Sequence, residues 1–232
     1  MDSIKIDTNL FYRSIYPPVE SNMYILIDGN EAIVIDSNVD EEVCNLLRGH
    51  NINKVHLFLT HEHYDHSYGV CWMKKHFNTI LYCHENSKGL ISTKKNSSPR
   101  LVAFVLSVKD MNDGGDRHCM FNKELIDYDL TPDVYLTDGQ TVNVKKHKIH
   151  IIHVPGHTQS SCLFVLDEKV VFSGDSLISD NKIITSFRGG NKEDMINIAL
   201  PKLRSLPDDM VVFPGHGEPF AKKEFDFSIY DV

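Results

Sequence analysis

The sequence predicts a mixed α/β fold, and three observations predict it. Short apolar runs rich in β-branched residues recur along the chain, each closed by Gly, Pro, Asp or Asn breakers. Amphipathic stretches of helical period alternate with them in two halves. The 232 residues, 41% hydrophobic and 24% charged, suffice to bury a full core and match the size of one α/β domain. The whole chain, 1–232, is expected to form that single domain.

Residues 23–28 and 31–36 read as strands joined by Gly29-Asn30, a strong hairpin signal. Residues 40–48 read as a helix opened by an acidic turn, with Val43, Leu46 and Leu47 on one face. A buried strand at 54–59 leads to a helix over 67–77 with Ser67 as its cap, then to a strand at 79–83. Strands follow at 134–136, 141–144 and 148–154, the first two separated by the turn Asp138-Gly139. Residues 161–166 and 169–172 form a hairpin across Asp167-Glu168, and 210–213 is a last short strand. A helix is expected over 191–205, with Pro201 kinking it or ending it early.

Between 85 and 133 the strand pattern lapses. Asn96-Ser97-Ser98-Pro99 and residues 110–116 are rich in breakers and flank an apolar patch at 101–108. Connections this long are usually functional or disordered, so 96–130 is read as a lid insertion, with a plain surface excursion as the alternative. His118-Cys119 within it is too short a signal for a metal site and is read as surface.

Composition narrows the partners. A net charge of −8 excludes nucleic acid as a bulk partner, since phosphate contacts need clustered Lys and Arg. No run is long or apolar enough to span a membrane, and residues 1–7 lack a secretory signature. The five cysteines (44, 71, 83, 119, 162) follow neither disulfide-framework nor zinc-finger spacing. A reduced, cytoplasmic setting and a small-molecule substrate are expected.

The densest chemistry lies in Thr60-His61-Glu62-His63-Tyr64-Asp65-His66, at the carboxyl end of the 54–59 strand, where α/β proteins build their sites. Neutral imidazole and carboxylate bind zinc and other first-row divalent ions, and a loop lets sequence neighbours converge on one point. Three further strand ends carry Pro155-Gly156-His157-Thr158, Gly174-Asp175 and Pro214-Gly215-His216. Together they supply His61, His63, Asp65, His66, His157, Asp175 and His216.

In order and identity these motifs resemble those of the metallo-β-lactamase-fold superfamily, over about residues 20–218. The resemblance implies a four-layer αββα sandwich. It implies that His61, His63 and His157 hold one divalent ion, that Asp65, His66 and His216 hold a second, and that Asp175 bridges them. Zinc is the first expectation for both ions, with iron or manganese as alternatives. Asp36 matches the family's buried aspartate at the end of an early strand, behind the ligands. The implied chemistry is attack on a carbonyl by a metal-bound hydroxide, with Asp65 as the catalytic carboxylate that orients it and shuttles its proton.

Branch identity follows from particular positions. Asp175 stands where the commonest β-lactamases carry cysteine, and the complete HxHxDH is similar to the glyoxalase II and lactonase branches. Residues 203–207 and 214–219 look closest to glyoxalase II-like proteins. The chain departs from them at Ser67-Tyr68 and at Gln159-Ser160, and it ends soon after His216, without the helical domain that grips glutathione. The expected function is binuclear hydrolysis of a thioester, ester or lactone. The alternative is a mononuclear iron persulfide dioxygenase, against which the complete second ligand set counts; a β-lactamase or a non-catalytic metal-binding sensor ranks lower.

For substrate binding, Arg188 in the turn Ser186 to Lys192 offers a planar fork to an acidic substrate group, beside glycines that expose backbone amides ahead of a helix. A tight turn with a solvated Arg188 is the bland alternative.

Overall fold

The computed structural model describes residues 1–121, 126–179 and 181–230. Among them the strands gather into two sheets. In the seven-stranded sheet β1 (Asp2–Ile6), β2 (Asn9–Tyr16), β3 (Ser21–Asp28), β4 (Glu31–Ile35), β5 (Lys54–Leu59), β6 (Thr79–His84) and β7 (Val134–Leu136) lie in chain order. It is antiparallel up to β4 and parallel from there on. The six-stranded sheet holds β8 (Thr141–Val144), β9 (His147–His153), β10 (Cys162–Leu166), β11 (Val170–Gly174), β12 (Val211–Pro214) and β13 (Phe220–Ala221). It too follows chain order, and its β11–β12 pair is parallel.

Strand alternation explains how the sheets stack, because successive side chains point to opposite faces. On β3, Tyr24 and Leu26 join Phe58, Phe164 and Phe172 in an apolar layer between the two sheets. Met23 and Ile25 point the other way, toward Val43, Leu47, Tyr64 and Met73 of the helices α1 (Glu41–Gly49), α2 (Tyr64–Ser67) and α3 (Val70–His76). On β10, Leu163 and Val165 face Ala199, Leu200 and Leu203 on the far side of the second sheet. Three apolar layers thus separate helix, sheet, sheet and helix, the expected αββα sandwich. No helix among the described residues is long and apolar enough to cross a membrane.

The departures from expectation have local causes. No element was expected before Met23, yet β1 and β2 are there; Arg13 and Ser14, buried polar residues in β2, break the alternation that marks a strand. The helix expected over 67–77 is two, α2 and α3, parted at Tyr68-Gly69. There the backbone presses on the 37–38 loop, where a Cβ on Gly69 would collide with the carbonyl of Asn38. Ser67 ends α2 rather than capping the helix, and its hydroxyl donates to the His63 carbonyl at 2.7 Å.

Most of the 96–130 insertion, of which 122–125 lie outside the described residues, is helical: α4 (Pro99–Asp113) and α5 (Arg117–Phe121). Its breakers are caps. Ser98 accepts from the Arg100 amide, Pro99 fills the first turn where its missing N–H costs nothing, and Gly114 closes α4 with φ +76°.

Pro201 neither ends nor interrupts its helix. After α6 (Lys192–Asp194) a π-helical turn over Met195–Ala199 leads directly into α7 (Leu200–Ser205). The Leu200 amide reaches back to Met195, and this wider turn makes room for the proline ring that follows.

Candidate metal centre

The strands β9, β11 and β12 run in one direction, so their carboxyl ends share one edge of the second sheet. The end of β5 meets that edge: the Cys162 amide donates to Thr60 O at 2.9 Å, and the Asn22 amide to Gly215 O at 2.7 Å. Residues 61–66, His157, Asp175 and His216 all follow these strand ends.

The ligand-type atoms fall into overlapping groups, each with its members within 4.8 Å of one another: His61, His63 and His157; His61, His66 and Asp175; Asp65, His66 and His216. All seven residues expected from the sequence are therefore brought together. Asp175 touches both sides. Its Oδ2 lies 3.4 Å from His157 Nε2, and its Oδ1 lies 3.4 Å from His66 Nε2 and 3.6 Å from His216 Nε2.

Surrounding acceptors fix the tautomers. Nδ1 of His157 faces the Ile184 carbonyl at 2.8 Å, and Nδ1 of His216 faces the Val19 carbonyl at 3.0 Å. Nδ1 of His66 faces Asp36 Oδ2 at 2.8 Å. A carbonyl or carboxylate only accepts, so each Nδ1 carries a proton and Nε2 is the atom left for a metal ion. Thr60 does the same for His61: its hydroxyl donates to Asp36 Oδ2 at 2.8 Å, and its oxygen then accepts from Nδ1 at 3.1 Å. Asp36, held at φ +57°, thus stands behind His66 directly and behind His61 through Thr60.

The donor set fits divalent ions. Nε2 of His61 and His66 and Oδ1 of Asp175 are buried without a hydrogen-bond partner, a costly condition unless a cation completes them. Burial, reinforced by the neighbouring imidazoles, pushes His61 well below the ordinary imidazole pKa, and His63 goes down to about 4. Those rings stay neutral, as metal ligands must. Burial opposes charge on His66 too, yet Asp65, Asp175 and Asp36 pull its pKa well above the ordinary value. Asp65 is held at about 2 against its burial by His66 and His216. The carboxylates there call for positive charge, and a divalent ion supplies it where a proton otherwise would.

Close packing at the centre depends on Gly215. A Cβ at that position would collide with Asp175 Oδ1 and stand 2.8 Å from His66 Cε1.

Glu62 is a residue for which the sequence reading gave no role. Fully buried, it accepts from Asn96 Nδ2 and Thr158 Oγ1, each at 2.8 Å, and from the Ser160 hydroxyl. Its backbone carbonyl accepts from the Ser97 hydroxyl. One carboxylate therefore ties the 61–66 loop to the His157 loop and to the insertion. Its signal in the sequence was an acid between two ligands, with hydroxyl residues following the PGH of the second loop.

Arg188 is not brought to the centre. Its exposed guanidinium donates to the Lys95 carbonyl at 3.3 Å, and it is absent from the residues lining the cavity beside the ligands. That cavity, about 550 Å³, has Lys182 and Lys109 in its wall instead. His118 and Cys119 form a further exposed group with Asp116, away from this cavity, and Nδ1 of His118 is paired with Asp110 at 2.8 Å.

The family model of the metallo-beta-lactamase superfamily matches residues 16–216, which contain every residue of the centre. The chain belongs to that superfamily. Within it, the chain is 28% identical over 200 residues to hydroxyacylglutathione hydrolase GloC of Haemophilus influenzae, covering 85% of this chain and 81% of that protein. It is 24% identical over 204 residues to the probable metallo-hydrolase YqgX of Bacillus subtilis, covering 86% of each. Among solved superfamily structures, the BLEG-1 B3 metallo-beta-lactamase superposes with a TM-score of 0.71 at 26% identity, over 92% of this chain and 95% of that one. Superfamily membership and the histidine-rich centre make the chain a metal-binding protein of the metallo-hydrolase kind.

Proposed function

We propose that this superfamily member is a binuclear hydrolase of thioesters, esters or lactones. His61, His63 and His157 would hold one ion and Asp65, His66 and His216 the other, with Asp175 offering an oxygen to each group. The observation that carries this reading is the stance of Asp175, whose two oxygens face different histidine groups at 3.4 Å each. A mononuclear centre has no use for that second contact.

When bound, the two ions, zinc by first expectation, supply Lewis acidity toward an acyl carbonyl and bring the pKa of water toward neutrality. The chain's own residues handle the rest. Asp65 lines the cavity with Oδ2 3.3 Å from His216 Nε2. From that position its carboxylate orients the attacking oxygen by accepting its hydrogen bond and can pass the proton on to the leaving group. Phe187 sets its ring centroid 6.3 Å from that of His63 and 6.4 Å from that of His157, keeping bulk water off that flank. An acidic group on the substrate, the role the sequence assigned to Arg188, finds its cation in Lys182, which lines the cavity and makes no ion pair among the described residues.

The test is metal content by mass spectrometry after zinc loading and desalting, together with a panel of thioester, lactone, phosphodiester and β-lactam substrates. Two equivalents and acyl hydrolysis are expected. One equivalent of iron with oxygen-dependent persulfide consumption would replace this reading with the dioxygenase one.

A further inference from the structure

The cavity over the metal centre is walled mainly by hydrocarbon. Leu101 and Val105 of α4 recur one turn apart and, with Lys109 a turn further on, present one helical face to it. Ile178, Ile184 and Phe187, from the segment after Asp175, form a second wall. The apolar surface begins at the ligands themselves, since Phe187 packs edge-on to both His63 and His157. The volume of about 550 Å³ is that of a small-molecule site, in which apolar walls bind and a few polar groups orient. A short polar acyl group would leave these walls facing water.

We propose that this cavity is an acyl-chain site, and that the substrate is a thioester or ester with an extended apolar acyl group, seated between α4 and the wall formed by Ile178, Ile184 and Phe187. The inference rests on the hydrolase reading above and names its substrate class. The carbonyl lies at the Asp175 end and the chain runs along Leu101 and Val105. Each buried methylene then strengthens binding about fourfold, less where the chain stays half-wetted.

The test uses the zinc-loaded enzyme and acetyl, butanoyl, hexanoyl and octanoyl thioesters of one neutral thiol, N-acetylcysteamine. We expect kcat/KM to rise by ~10²-fold from acetyl to octanoyl, mostly through KM, as for binding shared by ground and transition states. Val105→Thr, similar in shape but polar, and Leu101→Ser lower the octanoyl-to-acetyl ratio by about tenfold. Phe104→Ala, on a different face of α4 and 60% exposed, leaves the ratio unaltered. Calorimetry gives a second readout without turnover: octanoate binds tighter than butanoate, and Val105→Thr narrows the gap. Turnover of the acetyl member with a flat or falling series overturns the acyl site and leaves the hydrolase reading standing. Equal loss of the ratio in Phe104→Ala and Val105→Thr reduces α4 to a structural support and overturns it as well. No turnover of any member, with octanoate still bound tighter than butanoate, overturns the acyl-thioester substrate class, while the hydrolase reading is decided separately by the broader substrate panel and the metal content.

Discussion

The carbonyl of Ile184 accepts the Nδ1 proton of His157 at 2.8 Å, while the Ile184 side chain lines the cavity. Val19 does the same for His216, with its carbonyl 3.0 Å from Nδ1 and its side chain in the cavity wall. The backbone that aims two proposed ligands is therefore the backbone that shapes the substrate wall. Shape and ligation move together.

Asp175→Ala removes the carboxylate shared by both histidine groups. After zinc loading and desalting, metal content should fall below two equivalents, with hydrolysis lost. Two retained ions in this variant would take Asp175 out of the bridging role.

Asp65→Asn keeps the shape and removes the charge. Turnover should fall by ~10²-fold or more, the scale of a lost acid–base or orienting group. The pair to measure is kcat and metal content. A near-normal kcat with both ions bound would leave Asp65 as a spectator.

Gly215→Ala drives a methyl group against Asp175 Oδ1 and His66. Circular dichroism should show a folded protein, because the clash falls on the loop between β12 and β13 and on two side chains of the centre, outside the apolar layers. Zinc affinity at the Asp65–His66–His216 group should drop by ~10-fold to 10²-fold, as when the support of a ligand is disturbed. Wild-type affinity would mean that the loop can yield.

His84 gives a pH prediction. It is buried at the end of β6, stacked on His153 with ring centroids 4.0 Å apart. Burial first, then the His153 ring, pushes its pKa from 6.5 down to about 4. Between those values the unfolded chain binds a proton that the folded chain refuses. Stability is full above about pH 6.5 and declines as pH falls toward 4, by up to ~3 kcal/mol. His84→Asn keeps an acceptor for the Asn86 amide and does not titrate. Urea unfolding at pH 7, 6 and 5 should show a shallower decline in the variant; identical slopes would exonerate His84.

The centre was legible in the sequence because its candidate ligands come in contiguous motifs, each following a hydrophobic strand. Asp36 was legible for the same reason, since it directly follows β4. Helix α4 was not: Leu106 faces the core, Leu101 and Val105 the cavity, Val102 both, and Phe104 and Met111 the solvent, so no single apolar stripe marks a helical period. Arg188 and Lys182 are six residues apart on one connection, and only the path of the backbone determines which of them lines the cavity. Glu62 escaped because its partners, Asn96, Thr158 and Ser160, are distant in sequence and become one network only when the sheets stack.

That network around Glu62 is made wholly of protein atoms, so none of its bonds needs an ion to complete it. The loops carrying the proposed ligands should therefore be gathered by folding rather than by the cation, the reverse of a zinc finger. A chelator should strip the ions and leave a folded protein that refills as fast as metal diffuses to it, its melting point shifting only by mass action. The chain can then be completed before its metal is chosen. Which ion it carries should then depend on what the compartment supplies at that moment, together with the geometry and ligand types of the histidine and carboxylate set.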